Sequence, residues 1–208
     1  MKKTIATVAL TALAFCVLLG LSFCSSEAAS PVAEQKASNE NKELAGEDLL
    51  KRGDYLVNSG GCDDCHSPKT FGPEGPVPDM TKRFSGSPAD AKLPPIDPKA
   101  AQPGGWLLFS ADLTVAVGPW GVSYSANLTP DSATGIGAWT EEMFVNAMRK
   151  GKHMGQDGGR PIMPPMPWPS VGKHTDEDLK AMFAYFKSQT AISNRVPSPV
   201  PPNELGKK

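Results

Sequence analysis

The sequence predicts an all-α domain, a few helices with a long Gly/Pro-rich loop insertion between them. Three observations carry that expectation. Three segments repeat apolar residues at helical spacing with capping residues at their ends. Between positions 67 and 137, 20 of 71 residues are Gly or Pro, too dense for long helices or for interior strands. Finally, Cys62-Asp63-Asp64-Cys65-His66 has the C-x-x-C-H spacing at which two thiols bond covalently to the vinyl groups of a haem, with His66 supplying an axial ligand. Together they describe a few helices around one covalently attached haem.

The amino terminus pairs Lys2-Lys3 with an uncharged apolar run over residues 5–23, the pattern of a secretory signal or a membrane anchor. The run is long enough to span a bilayer. Leu21-Ser22-Phe23-Cys24 resembles a lipoprotein cleavage box, with Phe before the cysteine. Residues 1–24 are thus read as a signal peptide, a lipoprotein signal or a membrane anchor, and the domain is expected outside the cytoplasm, in the periplasm or on the outer face of the cell envelope. Residues 25–46 are mostly Ser, Ala, Glu, Lys and Asn and read as a flexible linker. A net charge of -1 gives no reason to expect nucleic-acid binding.

A single domain is expected over 47–196. Its first helix runs from 47 to about 59, with Leu49, Leu50, Gly53, Leu56 and Val57 near helical spacing and Gly60-Gly61 ending the run, so it leads directly into the cysteine pair. The stretch from 67 to 137 reads mostly as ordered loop folding around a haem edge, with one short hairpin formed by residues 106–109 and 113–117. A helix follows from 139 to 150, opened by Thr140 and closed by Gly151. The clearest helix spans 175–188, where Thr175 and Asp178 form a capping-box variant and Leu179, Met182, Phe183 and Phe186 make one apolar face. Residues 197–208 form a Pro-rich tail, expected to be extended and dispensable.

The second axial ligand of an electron-carrying haem is expected to be a methionine thioether, which raises the potential relative to a second imidazole. Arg160-Pro161-Ile162-Met163-Pro164-Pro165-Met166-Pro167-Trp168 is where it should arise, because prolines stiffen a loop without regular structure. Met163, Met166 and Met154 all remain open on these grounds, as do His153 and His174 for a bis-histidine site. Lys152, Arg160 and Lys173 are candidate partners for haem propionates. A zinc site would need a second Cys/His pair, and a thioredoxin-like pair would need a βαβ frame; neither is visible in the sequence.

Several stretches resemble the class I cytochrome c domains of bacteria, particularly those in the cytochrome subunits of membrane-bound alcohol and gluconate-type dehydrogenases. They are Arg52-Gly53-Asp54-Tyr55-Leu56, Ala126-Asn127-Leu128-Thr129-Pro130 with Thr134-Gly135-Ile136-Gly137, and Trp139-Thr140 with Phe144, Ala147, Arg149 and Gly151. Pro165-Met166-Pro167-Trp168, Thr175-Asp176-Glu177-Asp178-Leu179 and Ala184-Tyr185 complete the match. The resemblance implies a cytochrome c fold with Met166 as the distal ligand. It also implies crossed first and last helices that meet at Gly53, and a haem crevice lined by residues 127–130. Those subunits usually carry three such domains, whereas this chain has one C-x-x-C-H and a longer 70–119 stretch.

These readings converge on an exported single-haem c-type cytochrome that turns over no substrate itself. Cys62 and Cys65 hold the haem, His66 and Met166 ligate the iron, and electrons pass one at a time between redox partners in the envelope, a dehydrogenase or an oxidase. Two other readings stand beside it: a haem sensor or peroxidase-like enzyme with an open distal site, and a structural haem subunit of a dehydrogenase complex.

Overall fold

The computed structural model describes residues 44–99 and 101–206; the expected leader and all of the linker before residue 44 lie outside the described residues. Three helices build the main core. Helix α1 (Gly46–Ser59) starts with Glu47 and Asp48 in its first turn, where carboxylates favour the positive end of the helix dipole. Helix α2 (Cys62–His66) is a single turn. Thr140 caps α3 (Glu141–Lys150) by accepting the Met143 N–H at 3.2 Å, and Gly151 closes it in the left-handed conformation. A short helix, α4 (Trp168–Val171), precedes α5 (Asp176–Lys187), whose cap Thr175 accepts from the Asp178 N–H at 3.1 Å. The three long helices match their expected bounds to within a residue or two.

Val57 and Leu56 from α1, Phe144, Ala147 and Met148 from α3, and Leu179, Met182, Phe183 and Phe186 from α5 interlock with Phe84 and Ile136 in one apolar cluster. Phe84 stands edge-on to Phe186 at 5.2 Å between ring centres. Helices α1 and α5 cross at Gly53, where a Cβ would fall 2.7 Å from that of Tyr185 and collide with the Ala181 carbonyl. Arg52 pins the crossing by donating to both carboxylate oxygens of Asp178, at 2.7 and 3.1 Å.

The all-α expectation is overturned. Five short strands in two antiparallel sheets occupy the segment read as loop. Strands β1 (Lys69–Gly72) and β2 (Gly75–Pro78) form a two-stranded ribbon, in which Pro76 stands opposite Phe71. A ribbon has two free edges, so a residue without an N–H is accommodated there. Strands β3 (Leu108–Phe109), β4 (Val115–Gly118) and β5 (Gly121–Tyr124) form the second sheet in that order. The expected hairpin is its β3–β4 half, pairing Leu108 with Val117. Glycine and proline punctuate these strands rather than exclude them. None is longer than four residues, and Pro119-Trp120 makes the turn between β4 and β5, with Gly118 paired to Gly121 across it.

This sheet has its own small core, so the Gly/Pro-rich segment folds around itself as well as beside the helices. Ala101, Val115, Val117 and Val122 are buried together, with Leu93, Ile96, Tyr124, Val200 and Leu205 packed against them. The tail belongs to this unit: Val200 pairs with Val122 through N–H to O bonds of 2.8 and 3.0 Å, and a 3-10 turn at Pro202–Glu204 follows.

Candidate haem site

Gly60 ends α1 and Gly61, at φ +66°, swings the chain into α2, so both cysteines and His66 lie on one helical turn. Cys62 and Cys65 are half-buried and not bonded to each other. Burial, reinforced by the negative charge of Asp63, pushes the Cys62 thiol up to about 11, and burial with Asp64 raises Cys65. Both shifts disfavour the thiolate form. Among the described residues no group of three or more His, Cys, Asp or Glu stands together as a metal site.

His66 is buried, and its Nδ1 lies 2.8 Å from the Ala126 carbonyl oxygen. A carbonyl can only accept, so Nδ1 carries the proton and Nε2 keeps the free lone pair. Burial lowers the His66 pKa, and a neutral imidazole results. A second-sphere carbonyl of this kind fixes the ring orientation and raises the basicity of the ligating nitrogen. The His66 carbonyl in turn accepts from the Gly86 N–H at 2.8 Å, so one residue is tied on both its side chain and its backbone.

Three side chains that sequence reasoning missed hold this turn. Lys69 Nζ donates to the carbonyls of Asp63, Asp64 and Ser67 at 2.8, 3.0 and 2.5 Å, capping the end of α2. Ser67 donates to Asp63 at 2.6 Å and accepts from the Phe84 N–H at 2.9 Å. Arg83 donates to Asp63 through Nε at 3.0 Å and through Nη2, while Nη1 reaches the Tyr185 hydroxyl at 2.9 Å and Nη2 also meets Asn58 at 2.6 Å. Burial pushes the Asp63 carboxyl up, but the hydrogen bonds from Arg83 and Ser67 outweigh it and hold it below the usual range. Arg83 carries no local sign of its role, because its partners lie 20 to 102 positions away, whereas the Lys69 bonds are local ones to the end of α2.

The methionine loop follows α3. Ile162 donates to the Gly151 carbonyl at 2.8 Å, and Trp168 packs on the bare face of Gly151. Met166 and Ile162 lie half-buried against the main core, as do Cys62, Leu128, Trp139 and Val171. Met163 is half-buried too, but it is not among the side chains packed on that core. Met154 sits at φ +59° in a 3-10 turn. His153 is exposed, edge-on to Trp139 at 5.3 Å, and His174 Nδ1 donates to the Val171 carbonyl at 2.9 Å. Arg160 and Lys173 are exposed and Lys152 is half-buried.

Residues 127–130 have work of their own. Asn127 Oδ1 accepts from the Thr129 N–H and hydroxyl at 2.9 and 2.7 Å, and its Nδ2 donates to the Ile192 carbonyl at 2.8 Å. This latch fixes the segment whose Ala126 carbonyl orients His66.

The curated relatives define the class: the chain carries a cytochrome c domain, which implies haem c. In particular, that domain resembles those of the cytochrome subunits of sugar, sugar-acid and alcohol dehydrogenases. The chain is 34% identical over 142 residues to the gluconate 2-dehydrogenase cytochrome c subunit of Pantoea cypripedii, covering 68% of this chain and 23% of that one. It is 31% identical over 156 residues to the alcohol dehydrogenase (quinone) cytochrome c subunit of Gluconobacter oxydans, covering 74% and 24%. With the fructose dehydrogenase cytochrome subunit of Gluconobacter japonicus it shares 37% over 87 residues, covering 42% and 17%. The chain thus spans about a quarter of the length of the first two relatives. No protein-family model matches it.

Proposed function

We propose that this chain is a single-haem electron carrier that accepts one electron at a time from a dehydrogenase and passes it to an acceptor in the cell envelope. The observation that carries the reading is the His66 Nδ1 to Ala126 carbonyl bond, which leaves the Nε2 lone pair free and oriented on the same turn as Cys62 and Cys65. Cys62 and Cys65 would hold the haem, with His66 and Met166 as axial ligands. When bound, the haem supplies a one-electron couple at iron.

The chain's own residues keep that couple fast and selective. Two fixed protein ligands leave little to rearrange when charge changes, and a thioether ligand raises the potential relative to a second imidazole. Trp139, Leu128, Ile162 and Val171 pack, like Met166, against the main core and would supply an apolar surround to the group. On this reading the domain itself turns over no substrate and carries electrons only. A dehydrogenase is the favoured electron donor because the relatives are cytochrome subunits of dehydrogenases. Export, with tethering through residues 1–24, would place the carrier beside such a partner. No helix of the described residues is long and apolar enough to cross a membrane.

The test is an absorbance spectrum of the exported, oxidised protein. The weak far-red band that methionine sulfur gives with ferric haem is expected in the wild type and should vanish in Met166→Ala, with a fall in reduction potential. A wild type without that band, or one that binds carbon monoxide readily when reduced, would favour the sensor or peroxidase-like reading instead.

A further inference from the structure

Ser123 lies on β5 and is buried, in a sheet to which neither the cysteine motif nor the methionine loop belongs. Its Oγ is 2.6 Å from the Pro164 carbonyl oxygen, 3.2 Å from Trp120 Nε1 and 3.4 Å from the Ala116 carbonyl. A hydroxyl has one proton to give, and the shortest contact takes it, so Ser123 donates to Pro164 and accepts from the Trp120 indole. Trp120 is itself held in place, since its ring lies so close to Gly118 that a Cβ there would stand 2.6 Å away.

Pro164 precedes Met166 by two residues, in a stretch where Pro161, Pro164, Pro165, Pro167 and Pro169 have no N–H to give. The backbone bonds from 163 to 168 are all local: Met166 N–H to the Met163 carbonyl at 3.3 Å and Trp168 N–H to the Met166 carbonyl at 2.9 Å. Ile162, just before it, is tied to the end of α3 through the Gly151 carbonyl; among the described residues, the Ser123 hydroxyl makes the one hydrogen bond that ties residues 163–168 to another element of the fold.

We propose that Ser123 is a positioning residue for the Met166 thioether: the three-stranded sheet reaches across through its hydroxyl and holds the Pro164 carbonyl so that the sulfur stays on the iron. The inference rests on Met166 being the distal ligand. Without that bond the loop retains its prolines and the Ile162 tie to Gly151 but loses the hydrogen bond nearest Met166, and the sulfur leaves the iron more often.

The exported holoprotein is titrated in its ferric form with free imidazole, which takes the distal position when the methionine is off, while the far-red band is followed. Ser123→Ala is expected to lower the half-saturating imidazole concentration about fivefold, the size of one net hydrogen bond. Ser123→Thr, which retains the hydroxyl, should stay within about twofold of the wild type, and Trp120→Phe should shift about twofold in the same direction as Ser123→Ala. Comparisons are made where far-UV circular dichroism of each variant equals that of the wild type, so that global unfolding does not enter. A wild type lacking the band would remove the Met166 reading itself. A wild type with the band and no shift in Ser123→Ala would overturn the positioning role alone, and should Ser123→Ala not fold, an unshifted Trp120→Phe would do the same.

Discussion

Gly53→Ala is expected to lower the stability of the domain by about 3 kcal/mol, the upper end for overpacking a close contact. The added methyl would sit 2.7 Å from the Tyr185 Cβ and against the Ala181 carbonyl. Neither neighbour can rotate away, because a Cβ and a backbone carbonyl move only with the whole of α5. The better helix propensity of alanine returns about 1 kcal/mol at most, so the clash decides the sign. Chemical unfolding followed by far-UV circular dichroism checks this, and a thermal midpoint lower by roughly 10 °C should accompany it. An unchanged midpoint would mean that α1 and α5 separate freely and that the crossing does not hold the domain together. A loss of this size would reach the haem turn as well, since α2 follows α1 after two glycines.

Arg83→Ala should cost about as much, roughly 3 kcal/mol, by a different route. Arg83 and Asp63 are 18% and 17% exposed, so removing the guanidinium leaves a largely buried carboxylate with Ser67 as its remaining side-chain donor. The Tyr185 hydroxyl and the Asn58 side chain lose a partner in the same step, and Phe84 loses the cation lying 4.3 Å from its ring centre. Asp63→Asn combined with Arg83→Met is expected to recover a good part of the loss, because the buried charge goes with its partner. If the double variant were no more stable than Arg83→Ala, the unpaired carboxylate would not be the cause.

The same pair sets an acid limb of stability. The Asp63 pKa is lower in the folded protein than in the unfolded chain, so its contribution is complete above the unfolded value of about 4. It then declines as pH falls from there through the depressed folded value. Asp63→Asn should flatten that part of the stability curve and leave the region above about pH 5 unaltered in slope. A wild type and variant with parallel curves between those limits would show that Asp63 titrates alike in both states.

The helices were legible because their signals are local. Thr140 and Thr175 bond to N–H groups three residues ahead, and Gly151 stops α3 at the residue after its last turn. The cysteine motif was equally legible, being five residues that lie on a single helical turn. The resemblance to bacterial cytochrome c domains added the crossing at Gly53, and the close approach of Gly53 to Ala181 agrees with it. By contrast, β1, β2 and β5 were missed because the Gly and Pro within and beside them read as loop, whereas β3 and β4 fall in apolar runs. The tail shows the same limit, since nothing in its prolines announces that Val200 will pair with Val122.

The sequence by itself determined the three long helices, where they end, and that two thiols and an imidazole stand at haem-attachment spacing, while the short α4 was not foreseen. Only the tertiary structure decided what surrounds them. Ala126 orients His66 from 60 positions away, Arg83 anchors Asp63 from 20, and Ser123 grips Pro164 from 41. Capping and helical periodicity act within a few bonds along the chain and so leave a mark in the order of residues. A hydrogen bond between distant positions leaves none until the apolar faces of α1, α3 and α5 have closed on one another and brought its donor and acceptor together.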